Sequence, residues 1–317
     1  MQHVPLGPLS VSRVGLGCNN FGGRLDLERT RAVVDAALDA GIDFLDTADI
    51  YGARSGPAVY GNAGGSERFL GELLGGRRKR VVLATKFGHD MGDGTGPRGA
   101  PQYVRSALEA SLERLQTDHV DLLYYHWPDG VTPIAETVGA MTELVLDGKT
   151  LAIGVSNVTL EQLEEAARTA RIAAVQNEYS LLAREPERDL LPRCRELGIG
   201  FVPYYPLAAG LLTGKYRRGR PPPEGTRWAG SDALDDDWVT PQVPTSQETF
   251  DAVARLAAFA RERGRTLVEL AVAGIASRPG VASVIAGATS AEQVRANAAA
   301  GDWQLTPDEL AQLPSGG

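Results

Sequence analysis

Eight short apolar runs are spaced along this chain, and most gaps between them carry helical periodicity. The runs fall at residues 14–18, 42–46, 81–86, 120–126, 151–155, 173–176, 200–204 and 282–286. Most are continuously apolar rather than alternating, the pattern of strands covered on both faces. Val104, Leu108, Leu112 and Leu115 share one helical face. Thr159 with Gln162, and Thr306 with Glu309 around Pro307, have capping-box spacing. Gly41 suits the position just past a helix that begins near Leu27. Strand and helix alternating over the whole length predict a parallel sheet, and eight such units close into a (β/α)8 TIM barrel of the α/β class. A doubly wound open sheet is the alternative. It would normally carry G-x-G-x-x-G after its first strand, and Gly15-Leu16-Gly17 lacks the third glycine.

Two regions interrupt the rhythm. Residues 4–9 and 11–14 predict an N-terminal β-hairpin that plugs the barrel bottom. Residues 217–247, after the seventh strand, are rich in Pro, Gly and Asp, which predicts a long functional loop or a surface insertion. With no linker and no internal repeat, one barrel domain over 1–317 is expected.

Charge and composition exclude several partners. The net charge is -8, from 40 acidic against 32 basic residues, which disfavours nucleic acid. No apolar run approaches the roughly 20 residues that span a bilayer. The first residues lack the basic-then-apolar order of a signal peptide, so cytoplasmic residence away from membranes is expected. Cys18 and Cys194 make no disulfide framework. His3, His89, His119 and His126 show no metal-ligand spacing, so no metal is expected.

Four polar residues stand at or just past the C-terminal ends of the second, third and fourth strands: Asp46, Tyr51, Lys86 and His126. Ionisable groups next to buried strands are costly unless paired. A carboxylate, a phenol, an ammonium and an imidazole that converge can move a proton near neutral pH. A buried Asp46–Lys86 ion pair with packed aromatic neighbours would also account for them.

The stretch Gly41-Ile42-Asp43-Phe44-Leu45-Asp46-Thr47-Ala48-Asp49-Ile50-Tyr51-Gly52 is followed by Ala84-Thr85-Lys86 and Tyr125-His126-Trp127-Pro128. Gly154-Val155-Ser156-Asn157 and Val175-Gln176 come next in order. Together these motifs resemble the aldo-keto reductase superfamily, in the branch of bacterial reductases and potassium-channel β-subunits, over almost the whole chain. The chain departs from the pattern at residues 53–64, a longer connection before Gly65-Ser66-Glu67.

The resemblance implies carbonyl reduction by a nicotinamide dinucleotide, with Tyr51 as proton donor. Lys86 would lower the phenol's pKa, Asp46 would hold Lys86, and His126 would orient the carbonyl. It further implies that Ser156, Asn157 and Gln176 meet the carboxamide and that Tyr204 stacks on the nicotinamide. Leu207, Gly210 and Lys215 would meet the pyrophosphate, with Arg227 as a further phosphate contact. Gly287, Thr289, Gln293 and Asn297 would hold the adenosine end, although Ser290 and Gln293 also have helix-capping spacing. The cofactor is expected to be NADP, with NAD left open because Ala288, Thr289 and Ser290 stand where relatives place a base. Asn20, Phe21 and Trp127 are expected on the substrate wall, with Asn19, Trp228 or Trp238 as further candidates. Two other functions compete: a lyase using Lys86 as a Schiff base, and a cofactor-binding regulatory subunit that senses redox state. Oligomeric state and physiological substrate are not readable from the sequence.

Overall fold

The computed structural model describes residues 1–52, 61–92, 94–224, 226, 228–229 and 246–314. The N-terminal hairpin pairs β1 (His3–Leu6) with β2 (Leu9–Ser12), Val4 opposite Val11 and Leu6 opposite Leu9. Its turn comes at Gly7-Pro8, earlier than the sequence pattern suggested. Gly7 has φ +59°, and a Cβ there would lie 2.6 Å from Cβ of Ala173. Only glycine permits both that backbone angle and that approach.

Eight parallel strands follow: β3 (Val14–Gly17), β4 (Phe44–Asp46), β5 (Val82–Phe87) and β6 (Val120–Tyr125), then β7 (Thr150–Ser156), β8 (Ala174–Gln176), β9 (Gly200–Phe201) and β10 (Val284–Gly287). They lie side by side in chain order, with β10 beside β3. The sheet closes between β9 and β10, where Phe201 N–H donates to Gly280 O, Ala282 N–H to Phe201 O and Ile285 N–H to Pro203 O. This is the (β/α)8 barrel. β9 is shorter than the apolar run 200–204 because Pro203 has no N–H for the ladder.

The helices between the strands are α1 (Leu27–Asp39), α2 (Gly65–Leu74), α3 (Pro101–Leu115), α4 (Ile134–Leu146), α5 (Leu160–Thr169) and α6 (Leu190–Leu197), then α7 (Gln247–Glu262), α8 (Leu267–Ala276), α9 (Ala291–Ala300) and α10 (Pro307–Ala311). Asp26 caps α1 by accepting from Arg29 N–H. Both capping boxes read from the sequence form, and a third stands at Thr266 and Glu269. No described helix is long and apolar enough to cross a membrane.

Two apolar cores result. Strand residues such as Leu45, Leu83 and Leu123 pack outward against the helices. Phe44, Ala84, Leu122, Tyr124, Val202 and Ile285 fill the barrel interior, which Leu6 and Val11 of the hairpin seal from below. A filled interior leaves only the top face, built by the loops after each strand, for a site.

Candidate active site

β4, β5 and β6 deliver the four predicted residues to one point at that top face. Asp46 ends β4, Lys86 lies in β5, and His126 follows β6, with its N–H donating to Phe87 O at 2.8 Å. Tyr51 sits in the loop after β4, pinned by its own N–H to Ala48 O and by Ser66 N–H to its carbonyl. Lys86 Nζ donates to Asp46 Oδ1 at 2.5 Å, to Thr47 O at 2.8 Å and to Tyr51 Oη at 3.3 Å. Lys86 is fully buried and Asp46 nearly so. All three ammonium hydrogens therefore have acceptors. The Tyr51 oxygen accepts one of them, which leaves the phenol's own hydrogen to be donated elsewhere. Gln176 Nε2 donates to Asp46 Oδ2 at 2.9 Å, so both carboxylate oxygens are engaged. The ring of His126 meets that of Tyr51 edge to face, centroids 5.9 Å apart.

Burial sets the protonation of this group. It pushes the Tyr51 phenol well above its ordinary value, and the Asp46 carboxylate adds to the rise. The resemblance implies a phenol lowered by Lys86; in this state the net direction is upward, because desolvation dominates. Burial, His89 and Lys86 together hold His126 far below the usual imidazole range, so it is neutral. Its Nδ1 is buried without a hydrogen-bond partner among the described residues. A lysine that shares its protons among a carboxylate, a carbonyl and a phenol is a poor Schiff-base nucleophile.

A cavity of about 630 Å³ opens beside these residues. Small-molecule sites run from about 300 to about 1,000 Å³. One arm is lined by Asn157, Gln176, Tyr204, Leu207, Gly210 and Lys215, and continues to Gly287, Thr289, Gln293 and Asn297. Asn157 is locked in place: its Nδ2 donates to His126 O, and Tyr204 Oη donates to its Oδ1 at 2.7 Å. The loop after β9 is strained. Tyr205, Ala208, Ala209 and Gly210 all have positive φ, between 46° and 98°. Non-glycine residues hold such angles only when the surroundings impose them, and these clusters gather at functional sites. A Cβ at Gly210 would meet Lys215 Nζ at 3.1 Å, so the glycine lets that side chain fold over the loop. Ser290 caps α9, but Gln293 Oε1 accepts from Thr289 N–H rather than completing the box.

Some predicted residues lie elsewhere. Ser156 is fully buried behind Asn157, whose Nδ2 donates to its Oγ, and it does not line the cavity. Phe21, expected on the substrate wall, is fully buried in the outer core. The chain turns back there, Phe21 N–H donating to Cys18 O. Asn20 and Trp127 do line the cavity, as does Asn19. Trp228 stacks on Tyr216 at 4.3 Å. Arg227, Trp238, the segment 230–245 and residues 53–60 of the departure at 53–64 lie outside the described residues. Reading the sequence missed Arg24, His89, Ile50 and Tyr205, all on the cavity wall.

The aldo/keto reductase family model matches residues 13–315. Among solved structures, this chain is similar to the aldo-keto reductase AKR11C1 from Bacillus halodurans in its holo form. The TM-score is 0.79 at 32% identity, over 100% of this chain and 97% of that one. Fold, top-face site and sequence agree, and the chain belongs to the aldo/keto reductase family, a family of oxidoreductases.

Proposed function

We propose that this chain reduces an aldehyde or ketone to the alcohol, with Tyr51 as proton donor and a nicotinamide dinucleotide, NADP rather than NAD, as cofactor. One observation carries the reading. Among the described residues, Tyr51 is the one partner of Lys86 that also has a hydrogen to give, and it lies on the cavity wall.

The residues present suit a dinucleotide. Asn157 and Gln176 offer amide groups beside the four-residue cluster, and Tyr204 and Tyr205 offer aromatic faces. The left-handed backbone at Tyr205 and at Ala208–Gly210, with Lys215 folded over it, suits an anionic pyrophosphate. Thr289 and Gln293 stand at the far end, just before and in the first turn of α9, with Asn297 one turn further along the helix. When bound, a reduced nicotinamide supplies the hydride.

The chain's own residues do the rest. His126, neutral, gives one N–H to the carbonyl oxygen and fixes its direction. Tyr51 gives its proton to that oxygen as negative charge develops there. Lys86 steadies the resulting phenolate through the hydrogen bond it already makes, and Asp46 keeps Lys86 in place. Arrangements of this kind act as one unit, so removing any member disables the rest.

Tyr51→Phe tests the reading. The variant should bind NADPH with unchanged fluorescence enhancement and lose reduction of a reactive aldehyde by about 10²-fold or more. Full turnover in that variant removes Tyr51 as the acid. Parallel titrations with NADPH and NADH test the cofactor, and equal or tighter NADH binding overturns the NADP assignment.

A further inference from the structure

We infer that Ser66, buried at the start of α2, is a positioning residue that sets where the Tyr51 phenol stands within the catalytic group. This rests on the reductase reading above and extends it to a residue outside the cavity. Ser66 is fully buried and does not line the cavity wall. Its backbone N–H donates to Tyr51 O at 3.1 Å. Its hydroxyl donates to Cys18 O at 3.0 Å and accepts from the Thr47 hydroxyl at 2.8 Å. These directions are fixed. A carbonyl only accepts, so the single Ser66 hydroxyl proton goes to Cys18, and Thr47 supplies the proton of the other bond. One side chain and its own amide thus hold three separate pieces of the chain.

Each of the three pieces leads to the catalytic group. Tyr51 carries the phenol. Thr47 O is the second acceptor of Lys86 Nζ, at 2.8 Å. Cys18 N–H donates to the carbonyl of Asp46 at 2.9 Å. Thr47 and Cys18 are themselves fully buried. The backbone lets them meet. Gly52, directly after Tyr51, has φ +104°, and a Cβ there would lie 2.8 Å from the N and Cα atoms of Gly65. A Cβ at Gly22 would lie 2.8 Å from the carbonyl carbon of Gly65. Asn62 closes the same corner, its Nδ2 donating to Gly22 O. With the chains this close, the first turn of α2 and the loop of Tyr51 move only together.

The reaction is sensitive to this placement. Tyr51 is tied through its backbone, by its N–H to Ala48 O and by its carbonyl to Ser66 N–H. Its phenol oxygen accepts from Lys86 Nζ at 3.3 Å, just beyond the usual range for such a bond. A small shift of the loop therefore breaks the contact that steadies the phenolate. Misplacing a reacting group by about 1 Å can cost about 10²-fold in rate. Without the Ser66 hydroxyl, α2 loses its hold on Cys18 and Thr47, and Tyr51 settles away from Lys86. The groups that line the cavity stay where they are, so the loss falls on kcat and not on KM.

The test measures kcat and KM for NADPH-dependent reduction of a reactive aldehyde, NADPH binding by fluorescence and stability by urea unfolding. It compares wild type, Ser66→Ala, Thr47→Val and the double variant. Ser66→Ala should lower kcat by about tenfold or more, with KM and NADPH affinity within about twofold of wild type. It also leaves the Thr47 hydroxyl and the Cys18 carbonyl buried without these partners, so it is less stable. Adding Thr47→Val removes the stranded donor. The double variant should therefore regain part of the stability while its kcat stays as low as in Ser66→Ala. Thr47→Val alone keeps the hydrogen bond from Ser66 to Cys18 and should lower kcat by about threefold, which carries the test even if Ser66→Ala does not fold. A kcat that returns along with stability makes Ser66 an ordinary packed hydroxyl and overturns the inference. So does an unchanged kcat in either single variant, or a loss that falls on KM. The reductase reading survives all of those outcomes. It fails if wild type reduces no aldehyde, and this inference falls with it.

Discussion

Consecutive residues of β5 serve two buried ion pairs on opposite sides of the sheet. Lys86 faces the barrel axis and pairs with Asp46. Thr85 faces the helices, and its hydroxyl donates to Glu67 Oε1 at 2.5 Å, while Arg114 Nε meets Glu67 Oε2 at 2.6 Å. Successive side chains of a strand point to opposite faces, so a single residue step separates the two systems. Both have a fully buried partner. Their surroundings differ. Glu67 and Arg114 are closed in by Thr85 and Ser111, and they bind α2 to α3 and β5. Lys86 has the cavity-lining phenol of Tyr51 as its third acceptor. A buried ion pair by itself is thus a clamp. It becomes machinery when one of its partners holds a transferable proton at a cavity wall.

The largest test of this contrast is the charge-neutral replacement of the inner pair, Lys86→Met with Asp46→Asn. Removing both charges avoids a lone buried carboxylate, which would itself cost about 3–5 kcal/mol. Turnover should fall by about 10²–10⁴-fold, because the phenolate formed from Tyr51 loses its cation. Steady-state kinetics with NADPH and a test aldehyde, alongside a thermal melt, separate this from unfolding. Full turnover in the double variant would reduce the inner pair to a second clamp.

The outer pair should respond the other way. Arg114→Met strands the Glu67 carboxylate in the interior and should cost about 3–5 kcal/mol of stability in urea or thermal unfolding. At temperatures where the variant is folded, its kcat and its pH profile should match wild type. A shift in the pH profile would show that the two faces of β5 are coupled through the chemistry, and would break the contrast.

What the sequence made legible follows the same division. Strands, capping boxes and the strand-end positions of Asp46, Lys86 and His126 are local or periodic features, and apolar runs and cap spacing express them directly. The direction of the Tyr51 shift was not legible, because it depends on how completely the phenol is desolvated. Ser156 and Phe21 shared motifs with cavity residues, yet side-chain direction turned one behind Asn157 and the other into the outer core. His89 left a signal that could have been read: a histidine three residues past a strand-end lysine, joined by a glycine. Its place on the cavity wall depends on the φ of Gly88 and on contact with His126, neither of which is written in the local pattern. The strained run from Tyr205 to Gly210 was similarly hidden, since only Gly210 advertises a positive φ.

Asp49 lies between the two systems, and its predicted effect is a trend with pH rather than a loss of activity or of folding. Its N–H donates to Lys86 O, its side chain is almost wholly buried, and its Oδ1 has no hydrogen-bond partner among the described residues. Burial, with the nearby Glu67 carboxylate, pushes its pKa from 3.8 up to about 8, against the opposing pull of Arg114 and Lys86. The native state therefore keeps this proton over a range in which the unfolded chain has lost it. Fewer protons are bound by the unfolded chain there, so stability falls as pH rises from about 4 to about 8. Asp49→Asn has no such proton to lose. Relative to wild type, its Tm should rise steadily across that window and level off above it, a trend that thermal melts in a buffer series can read. A Tm difference that stays constant with pH would mean that Asp49 is ionised between the two pairs. It would then belong to the outer clamp, as a second carboxylate sharing Arg114.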